Sequence, residues 1–308
     1  MTKETFRFAS AAVGVTVTGF FYAPEGDARA IVQLSHGMID RIGRYEEMIA
    51  ALCAAGFAVA ANDHVGHGET AESKEAFGHL GRRGARFDLI ADLHEVSRLA
   101  RVRFGDLPLI LVGHSMGSFL ARMYAAKWGS ELSALVLLGT SGKNPAVALG
   151  KLVADLMTLL RGRRYRSRLL AKMTFMGYLS RFRDEGSPLS WLTRDADWRR
   201  RLGEDSLCRF IFTVSAYREL FCMLAEVNRK KTYRAVPREL PILVASGTED
   251  PVGAYGKGVR RVAKAFSDAG VTRLTLRLYE GARHELHHET NRQEFYSDLI
   301  SYLEEVLR

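Results

Sequence analysis

The sequence predicts an α/β protein with a mostly parallel central sheet, flanked by helices and interrupted late by an inserted helical segment. Two observations carry this. Short apolar or β-branched runs alternate with helix-length stretches through the first half. From about residue 143 to 239 the alternation stops, leaving helical patterns and arginine-rich turns, and it resumes at PILVASG. The 308 residues are 47% apolar and 26% charged, enough apolar surface to offset the entropy of ordering one sizeable domain.

Taken in order, strands are expected over 15–22, 31–35, 57–62, 108–113 and 134–139, with helices near 44–55, 87–104 and 116–128. The runs IVQL, FAVAAN and LILVG are almost continuously apolar, as strands covered on both faces must be. After the insertion come a strand over 241–247, a helix near 256–269, a strand over 273–279 and a final helix from about 291. The division expected is a core of 1–142 and 240–308, with a helical cap of 143–239.

Composition removes several function classes. Seven prolines and 28 glycines exclude collagen-like chains, and three cysteines (Cys53, Cys208, Cys222) are too few and scattered for a disulfide framework or a CxxC zinc site. Cys53 reads as helix packing, Cys208 and Cys222 as thiols inside the insertion. The opening MTKETFRFAS has no apolar leader, and no run nears the ~20 apolar residues of a membrane span. A cytoplasmic protein with reduced thiols is expected. The skewed number is charge: 44 Lys and Arg against 35 Asp and Glu, a formal +9. That balance suits nucleic acid, an anionic membrane or anionic substrates, but no nucleic-acid-binding module is recognisable.

The chemistry starts at Gly113-His114-Ser115-Met116-Gly117, a G-x-S-x-G between an apolar strand and a helical pattern. A serine on such a turn has strained backbone angles and close neighbours, hence the flanking glycines, and the helix start supplies amide hydrogens and a positive dipole end. Serine is a weak nucleophile until a histidine takes its proton and a carboxylate orients that histidine. The strand PILVASG runs into Thr248-Glu249-Asp250-Pro251 and the last strand into Glu280-Gly281-Ala282-Arg283-His284, which places acid and base in the serine–acid–histidine order. Asp250 is preferred to Glu249 because a residue before proline is held extended. His284 is preferred to His287 and His288, which read as exposed polar histidines nearer the final helix. Two backbone donors are needed for an oxyanion; Met116 and Met38, in His36-Gly37-Met38-Ile39-Asp40, are the candidates. His64 and His67, in a glycine-marked turn, are expected to hydrogen-bond locally.

His284-Glu285-Leu286-His287-His288 also matches H-E-x-x-H, a zinc-hydrolase pattern in which His284 and His288 would share a metal. That pattern requires a helix, and here it opens in a glycine-containing loop, so the serine reading is preferred.

The stretch LSHGMIDRIGRYEEMIAALCAAGFAVAANDHVGHGET, the elbow GHSMG, and the blocks GTEDPVGAYGKGV and YEGARHELHHET resemble the monoacylglycerol lipase and lysophospholipase branch of the α/β-hydrolases. The resemblance runs from about residue 19 to 307 and includes LSWLTRD and SLCRFIFT in the insertion, which look like the cap of bacterial members. It implies an α/β-hydrolase fold with a helical cap or lid, a nucleophile at Ser115, acid at Asp250, base at His284 and oxyanion donors at Met38 and Met116. It further implies ester hydrolysis of a monoacyl lipid through an acyl-enzyme, with no cofactor. The family usually has glutamate where this chain has Asp40, which leaves polar contacts to substrate in question.

Within the insertion, PAVALGKLVADLMTLL sets Leu149, Leu152, Val153, Leu156 and Leu160 on one helical stripe before the basic run RGRRYRSR. This suits a lid over an acyl pocket and equally a helix packed inside the insertion. Met173, Phe175, Met176, Tyr178, Phe210, Phe212 and Phe221 are candidates to line an apolar tunnel. A thioesterase or aminopeptidase of the same fold would share the triad; the latter would need a carboxylate for a free amine, with Glu219 or Glu226 available. Charge is concentrated in the insertion: 143–239 holds 21 Lys and Arg against 10 Asp and Glu, and the remainder 23 against 25. A basic cap meeting anionic lipid, with the protein peripheral at a membrane, is therefore expected.

Overall fold

The computed structural model describes all 308 residues. Eight strands form one sheet: β1 (Thr2–Ala9), β2 (Thr16–Ala23), β3 (Ala30–Ser35), β4 (Phe57–Asn62), β5 (Leu109–His114), β6 (Ala134–Leu138), β7 (Ile242–Gly247) and β8 (Leu274–Tyr279). Their order is β1-β2-β4-β3-β5-β6-β7-β8; β1 and β2 are antiparallel to their neighbours and β4 through β8 run parallel.

The apolar runs are continuous because both faces are covered. Alternate residues enter opposite cores: Ile31, Leu109 and Leu111 go to one, Val32, Leu34, Ile110 and Val112 to the other. Helices α1 (Glu46–Ala54) and α10 (Arg292–Val306) close the second core through Met48, Leu52, Leu299 and Leu303. Helices α2 (Ala85–Phe104), α3 (Met116–Trp128) and α9 (Lys257–Asp268) close the first, with Leu93, Leu120 and Val262 inward. Gln33, fully buried in β3, is satisfied by the Leu93 carbonyl (2.7 Å) and the Ser97 hydroxyl (2.6 Å) of α2.

Strand β1 lies outside the predicted set. It is an exposed edge strand whose only apolar alternation is Phe6 and Phe8, and Phe6 stacks on Phe21 at 4.0 Å, over the bare backbone of Gly19.

Between β6 and β7 lie α4 (Ala146–Arg161), α5 (Arg168–Thr174), α6 (Ala196–Glu204), α7 (Val214–Val227) and α8 (Lys230–Ala235), with a single isolated bridge, Arg166 to Thr213, as their only β pairing. Helix α4 packs on α7 through Val147, Gly150 and Ala154; a Cβ on Gly150 would meet the Phe221 ring at 2.8 Å. Of the predicted stripe only Val153 packs toward the core, so its leucines are not the packed face. Leu149, Leu152, Leu156, Leu159 and Leu160 are all more than half exposed.

Candidate active site

The end of β5 and the start of α3 form the serine's turn. Ser115 has φ 52° and ψ −118°, a left-handed-side conformation that ordinary residues avoid. The flanking glycines are forced: a Cβ on Gly113 would strike the Gly117 carbonyl, and one on Gly117 would strike the Ser35 carbonyl of β3. Ser115 is half-buried and faces a cavity of about 1010 Å³ that His284 also lines.

Asp250 and His284 come from the ends of β7 and β8. His284 Nδ1 lies 3.1 Å from Asp250 Oδ1, and both residues are buried. Ser246 Oγ and the Val252 amide donate to the same carboxylate, each at 2.8 Å. Burial alone would raise the Asp250 carboxyl; the His284 charge and these donors outweigh it and hold it below the usual range. Conversely, burial would lower His284, and Asp250 outweighs that and raises it. Glu249, the rival acid, points elsewhere and pairs with Arg181 at 3.0 Å. No hydrogen bond joins Ser115 Oγ to His284 here; such contacts tighten when substrate binds.

In the loop after β3, the Gly37 amide donates to Asp40 (3.3 Å) and the Ile39 amide to His67 (3.3 Å), while the Met38 amide makes no such bond. Met116 opens α3, where amides have no intrahelical acceptor. Both methionines line the cavity.

Two sequence expectations are corrected. His287 and His288 are not exposed: each is 1% accessible, in a 3₁₀ turn (Leu286–His288) tucked under the start of α1. His287 stacks on Tyr45 at 4.4 Å and His288 on Trp198 at 4.0 Å, so aromatic packing buries them. Asp40, whose bearing on substrate contacts the sequence leaves open, lines the cavity and accepts from Arg44 (2.6 Å), Tyr45 (2.7 Å) and the Arg41 amide (2.9 Å). Phe212, offered for the tunnel, is fully buried against His67 and Tyr217, whereas Met173, Phe175, Met176, Tyr178, Phe210 and Phe221 do line the cavity.

The zinc pattern is dismantled by its own contacts. His284 serves Asp250, while His288 Nδ1 meets Glu285 at 2.7 Å and its Nε2 meets the Arg44 carbonyl at 2.7 Å. Glu285, His287 and His288 do cluster closely, but the Arg44 guanidinium already occupies the charge position, 2.7 Å from Glu285. His67 hydrogen-bonds locally as expected, to the Val65 carbonyl (3.1 Å), whereas His64 reaches Ser35 at the end of β3 (3.1 Å). Cys53 packs within α1, and Cys208 is buried on the cavity wall.

Sequence reasoning missed a buried relay beneath the site. Tyr45 donates to Asp40 and meets His114 Nδ1 at 2.9 Å, and His114 Nε2 lies 3.3 Å from the His284 carbonyl. The loop after β3, the elbow and the loop after β8 are thereby linked. It also missed how the base loop is fastened to the segment 182–195. Arg283 stacks on Phe182 (4.1 Å) and pairs with Glu185; the Glu285 amide donates to the Leu192 carbonyl (2.7 Å); Thr193 donates to the His288 carbonyl (2.7 Å). Trp191 lies over the His284 ring at 5.2 Å.

A serine on a strand-to-helix elbow, with a histidine–aspartate pair delivered from the next two strands of a mostly parallel sheet, defines an α/β-hydrolase. The chain belongs to the Hydrolase_4 family, described as serine aminopeptidase S33, whose model matches residues 26–291. It is similar to the monoacylglycerol lipase of Mycolicibacterium smegmatis, 25% identical over 98% of this chain and 97% of that one. The monoglyceride lipase of Mus musculus is 28% identical over 87% of this chain and 80% of its own. Among solved structures, a thermostable carboxyl esterase from Bacillus coagulans, in complex with glycerol, superposes with a TM-score of 0.94 at 30% identity, covering all of both chains.

Proposed function

We propose that this protein is a serine carboxylic-ester hydrolase acting on monoacyl lipids, with Ser115 as nucleophile, His284 as base, Asp250 as its orienting acid, and the Met38 and Met116 amides as oxyanion donors. The observation that carries the reading is the convergence of the strained Ser115 elbow and the buried His284–Asp250 pair on one large, mainly apolar cavity. The lipase relatives and the esterase neighbour support the same substrate class.

In the proposed cycle, His284 Nε2 accepts the Ser115 proton as Oγ attacks the ester carbonyl. The carbonyl electrons move to the oxygen, held by the two amides; losing one such donor costs about 3–4 kcal/mol of barrier. Collapse breaks the C–O bond, His284 returns its proton to the departing alcohol, and water repeats the sequence on the acyl-enzyme. An aminopeptidase would need a free carboxylate in the cavity. Glu219 is buried against Arg86 and Arg218, Glu226 pairs with Arg229 and Lys231, and neither lines the cavity.

Residues 143–239 act in this reading as a cap over the acyl pocket. The exposed leucines of α4 beside Arg161, Arg163 and Arg164 form an apolar face edged with cations, suited to rest on an anionic bilayer, making the protein peripheral. No helix is long and apolar enough to cross a membrane.

The test is hydrolysis of monoacylglycerols and p-nitrophenyl esters across chain lengths. Ser115→Ala is expected to lose at least about 10⁴-fold in kcat with unchanged folding. Full activity in a clean Ser115→Ala preparation would sink the assignment.

A further inference from the structure

The ring that stands over His284 comes from the insertion between β6 and β7, and the chain clamps it there from both sides. Ser190 and Leu192 are buried, and their carbonyls accept from the residues flanking His284: Ser190 from the Arg283 guanidinium, Leu192 from the Glu285 amide at 2.7 Å. Trp191 is thereby set opposite His284, with ring centroids 5.2 Å apart and planes inclined at 36°. Phe175 and Tyr178 pack on the same indole, at 5.8 and 5.0 Å.

The charges that bear most on His284 all belong to the core: Asp250, Glu285 and Asp40 raise its affinity for a proton. His114 lies 4.9 Å away, ring to ring, and burial lowers its own affinity for a proton. In the inserted segment the ions are turned to other partners. Glu185 pairs with Arg283 and Arg199, Arg181 with Glu249 at 3.0 Å, and Arg194 with Glu289 at 2.8 Å. Burial pushes the Tyr178 phenol up, which keeps it uncharged. From this side, then, His284 meets a π system and no ion. An aromatic face carries negative potential and attracts a cation within about 6 Å of its centroid, tryptophan most strongly. In the proposed cycle His284 is neutral in the ground state and becomes cationic as it takes the serine proton. A contact of this kind therefore favours the transition state over the ground state.

We propose that Trp191 is a positioning residue of the hydrolytic reaction, its indole face stabilising the imidazolium that forms when His284 Nε2 takes the Ser115 proton. The proposal rests on the esterase reading above and gives the cap a part in the chemistry. The indole neither gains nor loses a proton, and the one held by His284 passes on to the departing alcohol. The clamp through Ser190 and Leu192 keeps the indole at its distance from the base throughout.

The test replaces Trp191 alone by mono-, di- and trifluorotryptophan substituted on the benzo ring, which keep the shape nearly unchanged while withdrawing negative charge from the face. Two quantities are read: the pH profile of kcat/KM for p-nitrophenyl butyrate, and the titration of the His284 ring by NMR in a Ser115→Ala background, where no turnover is needed. Along the series the plateau is expected to fall about three- to tenfold, through kcat. The acid limb and the His284 titration should move downward together, by up to about one pH unit. Trp191→Phe, with a weaker face, should shift both in the same direction. A tryptophan that only walls the pocket or shields the base predicts no movement along the fluorinated series. Either quantity unmoved in the trifluorotryptophan protein overturns the proposal. If the wild type hydrolyses no ester, the esterase reading falls instead, and the titration in Ser115→Ala still decides whether the indole face stabilises the imidazolium.

Discussion

At the scale of single residues, the charge state of His284 sets when the proposed reaction can run. As a base it must be neutral, and Asp250 raises its affinity for a proton above the ordinary value of about 6.5. Activity is therefore lost as pH falls through that raised value, so the acid limb of kcat/KM is expected above about 6.5. Asp250→Asn should move the limb downward while lowering the plateau; a pH–rate profile checks both, and an unmoved limb refutes the pairing. Beneath the site, Arg44 is 7% accessible and bridges two buried carboxylates. Removing it strands both, so Arg44→Met is expected to cost about 3–5 kcal/mol in urea unfolding. The two kinds of residue differ in legibility. Ser115, Asp250 and His284 could be read because each sits at a strand end beside a local signal. The relay through Tyr45, Asp40 and His114 could not, because its members are 5 to 74 residues apart and meet only after the sheet assembles. For the same reason His287 and His288 looked solvent-facing in a polar run, although Tyr45 and Trp198 bury them.

At the scale of elements, strands covered on both faces announced themselves by composition, and the helix 116–128 by its elbow; β1 did not, because an exposed edge strand needs little apolar content. Helix α4 shows how periodicity finds a stripe without saying what covers it. The stripe's four leucines are exposed, as is Leu159, and the packed face is the row Val147, Gly150 and Ala154, which lets Phe221 approach. If the leucines rest on lipid, Leu152→Glu/Leu159→Glu should abolish co-sedimentation with anionic vesicles and lower activity on dispersed lipid. Undiminished vesicle binding by that variant would discard the membrane role.

At the scale of the whole molecule, acid should unfold the protein through a small set of carboxylates. Asp40, Asp250 and Glu285 are all held below their ordinary range, against burial, by Arg44 and His284. A carboxyl whose folded-state affinity for protons is depressed contributes stability above its unfolded value, near about 4, and loses it as pH falls through the folded one. The melting temperature is expected to decline steeply below about pH 4, and less steeply in Arg44→Met, where two of the three are no longer held low. A parallel decline in the two proteins would deny those carboxylates the role. The net charge was readable as a number and as a location in 143–239, but which cations stay unpaired on the cavity wall depends on the fold.

The fastening of residues 182–195 to both neighbours of His284 has a consequence for the order of events in turnover. In the proposed reaction, Arg283 and Glu285 tie that wall to the base, which leaves the α4 and α5 side of the cavity as the expected route of access. The alcohol freed in the first half of the proposed reaction and the water needed for the second would then share one passage. The bulk of the alcohol, absent from the chemistry of deacylation, nonetheless governs how soon deacylation begins.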